Sequence, residues 1–209
     1  MVRVTFDRHW QALSQRLGLA DDTRETVRYW LIECYSEPHR YYHRLSHIEA
    51  MLEGFVRLPD WTDHDAVELA IIFHDAIYDP SRSDNEACSA DAMRARLSEI
   101  DAMTLNRASA MIEATKSHKA TGDADADRLL DLDMAILGAP WAAYTAYAEG
   151  VRREYEPVYG ADAYRAGRLS LFIEPALQAD RIFLTPEFAS REAQARLNLK
   201  REAETLRPA

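Results

Sequence analysis

The chain has 209 residues, 47% of them apolar and 29% charged, with a net charge of −10. That balance excludes a disordered chain and leaves enough apolar material for one globular domain with a real core. The acidic surplus disfavours a nucleic-acid backbone or an anionic membrane as the main partner, and no apolar run approaches the roughly 20 residues of a bilayer span.

The apolar spacing predicts helix almost throughout, so the expected class is all-α. Residues 5–18 carry Phe6, Trp10, Leu13 and Leu17 on one face and stop at Gly18. Asp22 with Glu25 reads as a capping box for a helix to about Cys34. After Pro38, a helix from about Arg40 to Arg57 lines up Leu45, Ile48, Leu52 and Phe55 and stops at Pro59. Thr62 and Asp65 read as the cap of a helix ending in Ile71-Ile72-Phe73-His74-Asp75-Ala76, with Pro80 in the turn beyond. Ser83 and Glu86 open the next. A helix over 104–118 places Leu105, Ala108, Ile112, Thr115 and His118 at core spacing. Asp123 to Asp127 reads as an acidic loop, followed by the mostly apolar stretch Asp131 to Gly138. Pro140 opens a helix through Trp141, Tyr144 and Tyr147, aromatics suited to core or interface, that ends near Pro157. Another begins near 161 and is expected to kink or end at Pro175. Thr185-Pro186 starts the last helix, through Phe188 and Leu197 towards Leu206.

No glycine- or serine-rich linker breaks the chain, so 1–209 is read as one domain, with a core over about 35–140 and C-terminal helices over about 141–206 packed on it. The N-terminus lacks a signal-peptide run, and Cys34 and Cys88 read as small core thiols, so a reducing cytoplasm is expected.

The chemistry centres on His74-Asp75, which closes an apolar helix. Burying such a pair unpartnered costs several kcal/mol. Neighbours on a helix point about 100° apart, and a cation between them is the simplest common partner. His47 sits at the edge of its apolar stripe near Met51, and Asp133 lies between Leu132 and Met134, where a buried carboxylate needs a cation or several donors. Asp131 competes with Asp133, the two pointing about 200° apart on a helix. Glu86 is either half of a cap or a carboxylate that positions or deprotonates water; Asp79 is a general acid or base, or the cap of the turn at Pro80. Arg44, Lys116, Lys119 and Arg82 are candidates for phosphate contact, Arg44 foremost. His43-x-x-x-His47 has a zincin's histidine spacing, but Arg44 stands where the glutamate is needed, so His43 is read as a pocket residue. His9, His39 and His64 are read as surface.

The order His47, His74-Asp75, Asp133 on a helical chain resembles the HD-domain metal-dependent phosphohydrolase superfamily. The stretches Arg40-Tyr41-Tyr42-His43-x-x-x-His47-Ile48, Phe73-His74-Asp75-Ala76-x-Tyr78-Asp79, Asn85-Glu86-x-x-Ser89-Ala90 and Leu132 to Gly138 look like one branch of it, described as predicted hydrolases of undetermined substrate. With Arg181-Ile182-Phe183 and Ala195-Arg196-x-Asn198-Leu199 the resemblance spans roughly residues 35–206. It implies an HD-type helical bundle in which His47, His74, Asp75 and Asp133 hold one divalent ion (Mn²⁺, Fe²⁺, Co²⁺, Ni²⁺, Mg²⁺ or Zn²⁺). Asp133 rather than Asp131 matches the family's last aspartate. Binuclear members add two histidines before that aspartate, where this chain has only His118, so one ion is expected. The implied activity is hydrolysis of a small phosphorylated metabolite such as a nucleotide. Glu86 or Asp79 would manage protons, and His43, Arg44, His118 and Lys116 would line the substrate pocket. The rivals are a catalytically weak HD domain acting as a nucleotide- or metal-binding regulatory module, and a di-iron redox HD protein. A homodimer is compatible with the sequence.

Overall fold

The computed structural model describes residues 3–58 and 60–207; Pro59, the expected stop of the third helix, lies outside them. Helix is the regular structure of the described residues, among which there is no strand. The elements are α1 (Arg3–Arg16), α2 (Asp21–Cys34), α3 (Leu45–Arg57), α4 (His64–Phe73), α5 (Asn85–Arg96), α6 (Ala102–Ala114), α7 (Ala124–Asp133), α8 (Trp141–Tyr159), α9 (Ala161–Gly167), α10 (Glu174–Gln178) and α11 (Glu192–Leu206). Short 3₁₀ turns cover Met134–Gly138 and Pro186–Arg191, and a π-helical turn covers Arg168–Ile173. No described helix is long and apolar enough to cross a membrane.

The core is organised around α4. Every residue from Ala66 to Phe73 is buried, as expected of a helix that is apolar on all faces. Helices α1, α3, α5, α6 and α7 all touch it. Glu68 is the one carboxylate in that buried stretch, and Arg16 and His9 satisfy it. His9 is therefore a core-edge partner rather than a surface residue, whereas His64 is 54% exposed. Helices α8 to α11 form a second layer, joined to the first through the Met134–Gly138 turn, which contacts α7, α8 and α11.

Several expected caps fall elsewhere. Ala20 precedes α2 without a side-chain bond, so the Asp22–Glu25 box does not form. Asp63, not Thr62, caps α4, accepting from the Ala66 N–H at 3.1 Å. Asp84 precedes α5 and its side chain caps nothing, so Glu86 has no capping partner in Ser83. The segment Asp123 to Asp127 is no loop but the start of α7, where acids oppose the positive end of the helix dipole and Asp123 accepts from the N–H of Asp125 and Ala126. Cys34 and Cys88 are half-buried rather than core; Arg82 reaches the Cys88 sulfur, and burial pushes the Cys34 thiol up to about 11.

The prolines also behave differently. Helix α8 passes through Pro157 and stops at Gly160, whose φ of +82° suits glycine. Pro175 does not end its helix either: residues 161–178 run on as α9, the π turn and α10. A proline ring clashes with the carbonyl four residues earlier, here that of Leu171. The π turn widens the backbone at that place, so the helix continues.

Candidate metal centre

Three core helices deliver the four sequence-expected ligands. His47 lies in the first turn of α3, His74 and Asp75 follow the last turn of α4, and Asp133 ends α7. The His47 and His74 Nε2 atoms are 3.3 Å apart. The Asp133 Oδ1 lies 3.0 Å from His47 Nε2 and 3.7 Å from His74 Nε2. The Asp75 Oδ2 lies 3.0 Å from His74 Nε2 and 3.9 Å from His47 Nε2. His74 Nδ1 donates to the Ile71 carbonyl at 3.0 Å, which leaves Nε2 with its lone pair turned to the cluster. The donor set fits a divalent ion: ligand atoms of His47, His74 and Asp133 all lie within 4.8 Å of one another, Asp75 adds a carboxylate oxygen beside both imidazoles, and no arginine or lysine pairs with either carboxylate among the described residues.

The electrostatics carry the same message. Burial alone would lower the His74 pKa, but Asp75 and Asp133 outweigh it and hold it up at about 9. Burial would raise both carboxylates, yet the imidazoles keep Asp75 and Asp133 below the usual range. A divalent cation bound here would compete with protons for these groups. His118 Nε2 bonds the other Asp133 oxygen, Oδ2, at 2.8 Å and so fixes the carboxylate's orientation. It does so from a turn rather than from the expected helix: α6 stops at Ala114, and His118 has φ +49°.

Two buried charges set the ligands in place. Arg40, 2% exposed, donates to the carbonyls of His43, Asp75 and Ala76, and lies between the rings of Tyr35 and Tyr78. Glu154 of α8 accepts from the backbone N–H of Tyr41, Tyr42 and His43 at 2.6, 2.7 and 3.0 Å, from His43 Nδ1 at 2.6 Å and from the Tyr78 hydroxyl at 3.0 Å. The helix expected from Arg40 begins only at Leu45, and the amides ahead of it are held by Glu154. Gly150, one turn earlier on α8, permits the approach, since a Cβ there would stand 3.0 Å from the Tyr42 Cβ and 3.3 Å from its nitrogen.

A cavity of about 570 Å³ opens beside the cluster. Asp133, His118, His43, Glu86 and Lys116 line it, so five of the sequence-expected site residues share one space. Lys116 also donates to the Ser83 carbonyl. Of the other residues expected to handle protons or phosphate, Arg44, Asp79, Arg82 and Lys119 do not line it. Arg44 is exposed and does not line the cavity, because the captured loop turns it outward ahead of α3. Asp79 is exposed, accepts from the Ser81 N–H and hydroxyl at 2.8 and 2.7 Å, and lies in a separate groove with His39 and Arg82. Asp131 is buried but serves the chain instead, accepting from the N–H of Leu184 and Thr185 and from the Thr185 hydroxyl.

The far wall of the cavity went unread in the sequence. It is aromatic, with Tyr147 and Tyr155 of α8, Tyr164 of α9 and Phe172 of the π turn, and it contains Arg168. One signal was available: Arg168 is a lone charge at the head of the apolar run Leu169 to Ile173. Comparisons of the chain with models of protein families, with curated proteins and with solved structures find no match.

Proposed function

We propose that this chain is a divalent-metal-dependent phosphomonoesterase of the HD-domain kind, acting on a small phosphorylated metabolite. The observation that carries the reading is the grouping of His47, His74 and Asp133, with Asp75 beside both imidazoles, where Asp133 lines a cavity large enough for such a substrate. When bound, a divalent ion lowers the pKa of its water and polarises a phosphoryl oxygen. The chain's own groups supply the rest. Glu86, half-buried on the cavity wall and free of a capping role, takes the proton from the attacking water. Lys116 presents a cation to the phosphate, and His118 holds Asp133 in register. His43, fixed by Glu154 and stacked on Tyr78 at 4.3 Å, shapes the mouth near the ligands.

The test is elemental analysis of metal-replete protein, followed by a phosphatase screen with Mn²⁺, Co²⁺ and Mg²⁺. One ion per chain with turnover of a phosphate monoester is the expected result. Two ions per chain with redox activity would replace this reading with the di-iron one and make His118 a ligand. No ion under metal-replete conditions would sink it.

A further inference from the structure

The candidate ligands are reached from two sides. Asp133 lines the cavity of about 570 Å³ and also a second space, a groove of about 640 Å³, and Tyr42, Ile136 and Tyr147 are walls of both. His47 lines the groove and not the first cavity. The sides of the groove come from α3, through Ser46, Ala50 and Gly54, and from α8, through Ala143 and Ala146, whose short side chains leave the space open.

The two histidines of the cluster are held differently. His74 Nδ1 has the Ile71 carbonyl as its acceptor at 3.0 Å. His47 is only 6% exposed, and its Nε2 is turned to His74 and Asp133, but its Nδ1 has no acceptor among the described residues. Nor is that nitrogen one of the buried polar atoms cut off from solvent without a partner. When Nε2 gives its lone pair to a cation, Nδ1 carries the ring proton and becomes a donor. A ligating histidine almost always gives that proton to a carboxylate, a carbonyl or water, which orients the ring and strengthens its hold on the metal. For His74 the chain supplies the acceptor. For His47 the groove is where an acceptor can sit.

The charges around the groove indicate the sign of that acceptor. Arg57 pairs with Glu53, and Glu187 pairs with Arg128. Arg191 has no carboxylate partner among the described residues and donates only to the Ala135 carbonyl, at 3.3 Å. Gly138 lets Arg191 lie against its turn, since a Cβ there would stand 2.6 Å from the Arg191 Cβ and 3.0 Å from its carbonyl oxygen. An unmatched guanidinium and an unmatched ring N–H thus belong to one groove, and an oxyanion satisfies both.

We propose that the groove is a second ligand site, for a small oxyanion (a carboxylate or a phosphate) that accepts from His47 Nδ1 and pairs with Arg191. The anion completes the outer partner of the histidine and so tightens the metal site from behind. By linkage, the metal tightens the anion by the same factor. The inference rests on the reading of His47 as a metal ligand and not on the phosphatase activity.

The test measures the Mn²⁺ affinity of the full-length protein by competitive chelator titration at matched free Mn²⁺, without added anion and with glutarate or orthophosphate. Glutarate stands for an organic acid and orthophosphate for the product of phosphate-ester hydrolysis. The anion is expected to raise Mn²⁺ affinity about tenfold or more. Calorimetry should show the same factor in reverse, as tighter anion binding to Mn²⁺-loaded than to metal-free protein. Arg191→Gln removes the positive charge and Ala50→Phe fills the groove. Both positions are exposed, so the fold tolerates the changes, and each should cut the gain to less than about twofold. A gain with glutarate alone assigns the groove to organic acids, and one with orthophosphate alone assigns it to the hydrolysis product. Equal Mn²⁺ affinity with and without both anions overturns the inference and leaves the metal reading standing. A gain that survives either substitution places the anion outside the groove and overturns it as well. A protein that binds no Mn²⁺ under any of these conditions overturns the inference together with the metal reading.

Discussion

At one end of the cavity, two carboxylates and two imidazoles converge with no arginine or lysine among them. At the other end, Arg168 and Glu202 meet equally far from water and cancel each other. The first end has the makeup of a cation site, and the second is complete as folded. Buried charge therefore means different things at the two ends. Where the chain supplies both signs, the pair fixes geometry; where it supplies one sign in excess, it leaves a place for an ion.

The comparison is broken most severely at the metal end. Asp75→Ala is expected to abolish metal retention and to reduce any phosphatase activity by more than roughly a hundredfold, since even outer partners of metal ligands commonly matter that much. Elemental analysis and turnover in the same preparation check this. An unchanged metal content would mean that the four residues do not form the site.

Glu154 comes next, because its carboxylate is fully buried and has five donors. Glu154→Ala should cost about 3–5 kcal/mol in denaturant unfolding, the usual cost of breaking a buried charged network. Its pH dependence has a definite sign. Burial would raise the carboxyl pKa, but His43 and the Tyr41 and Tyr42 amides hold it down at about 2, against 4.5 unperturbed. The unfolded chain thus binds more protons, so this contribution is full above pH 4.5 and is lost as pH falls towards 2. It amounts to about 3 kcal/mol. Unfolding curves of native protein and Glu154→Gln at pH 6 and pH 3 should converge on acidification, and parallel curves would refute the linkage.

His118→Ala should be milder, with the fold kept and metal affinity falling about 10–100-fold through the freed Asp133 carboxylate. A competitive chelator titration reads that loss. The smallest effect belongs to Asp131→Asn, which should cost about 1 kcal/mol of stability and no metal, because Asp131 caps the Leu184–Thr185 turn. Asp133→Asn should do the reverse. If Asp131→Asn released the metal, the assignment between the two aspartates would be wrong.

The grouping of His47, His74, Asp75 and Asp133 was legible because these residues sit in short stretches whose periodicity is visible. His74-Asp75 ends an apolar helix, and Asp133 sits two residues from a carboxylate that faces elsewhere. The all-helical class was legible for the same reason. What escaped was whatever depends on distant partners. Glu154 looks like a member of an ordinary charged run and Arg40 like one more residue of the motif before His47, and nothing local says that Arg40 will bond the Asp75 carbonyl or Glu154 three amides on a remote loop. His118 looked helical because its spacing continues that of α6, but the helix ends at Ala114 and a left-handed turn delivers the ring. Pro175 suggested a break, and the π turn absorbed it.

The Glu154 capture also bears on how the protein is made. Tyr41 and Glu154 are 113 positions apart, and all four candidate ligands precede the glutamate. A nascent chain that has emerged through Asp133 displays every candidate ligand, yet the loop leading into His47 has nothing to hold its amides. Only when α8 clears the ribosome does the carboxylate arrive. The centre is therefore finished late in synthesis, and a half-made chain presents histidines and aspartates without the frame that aligns them.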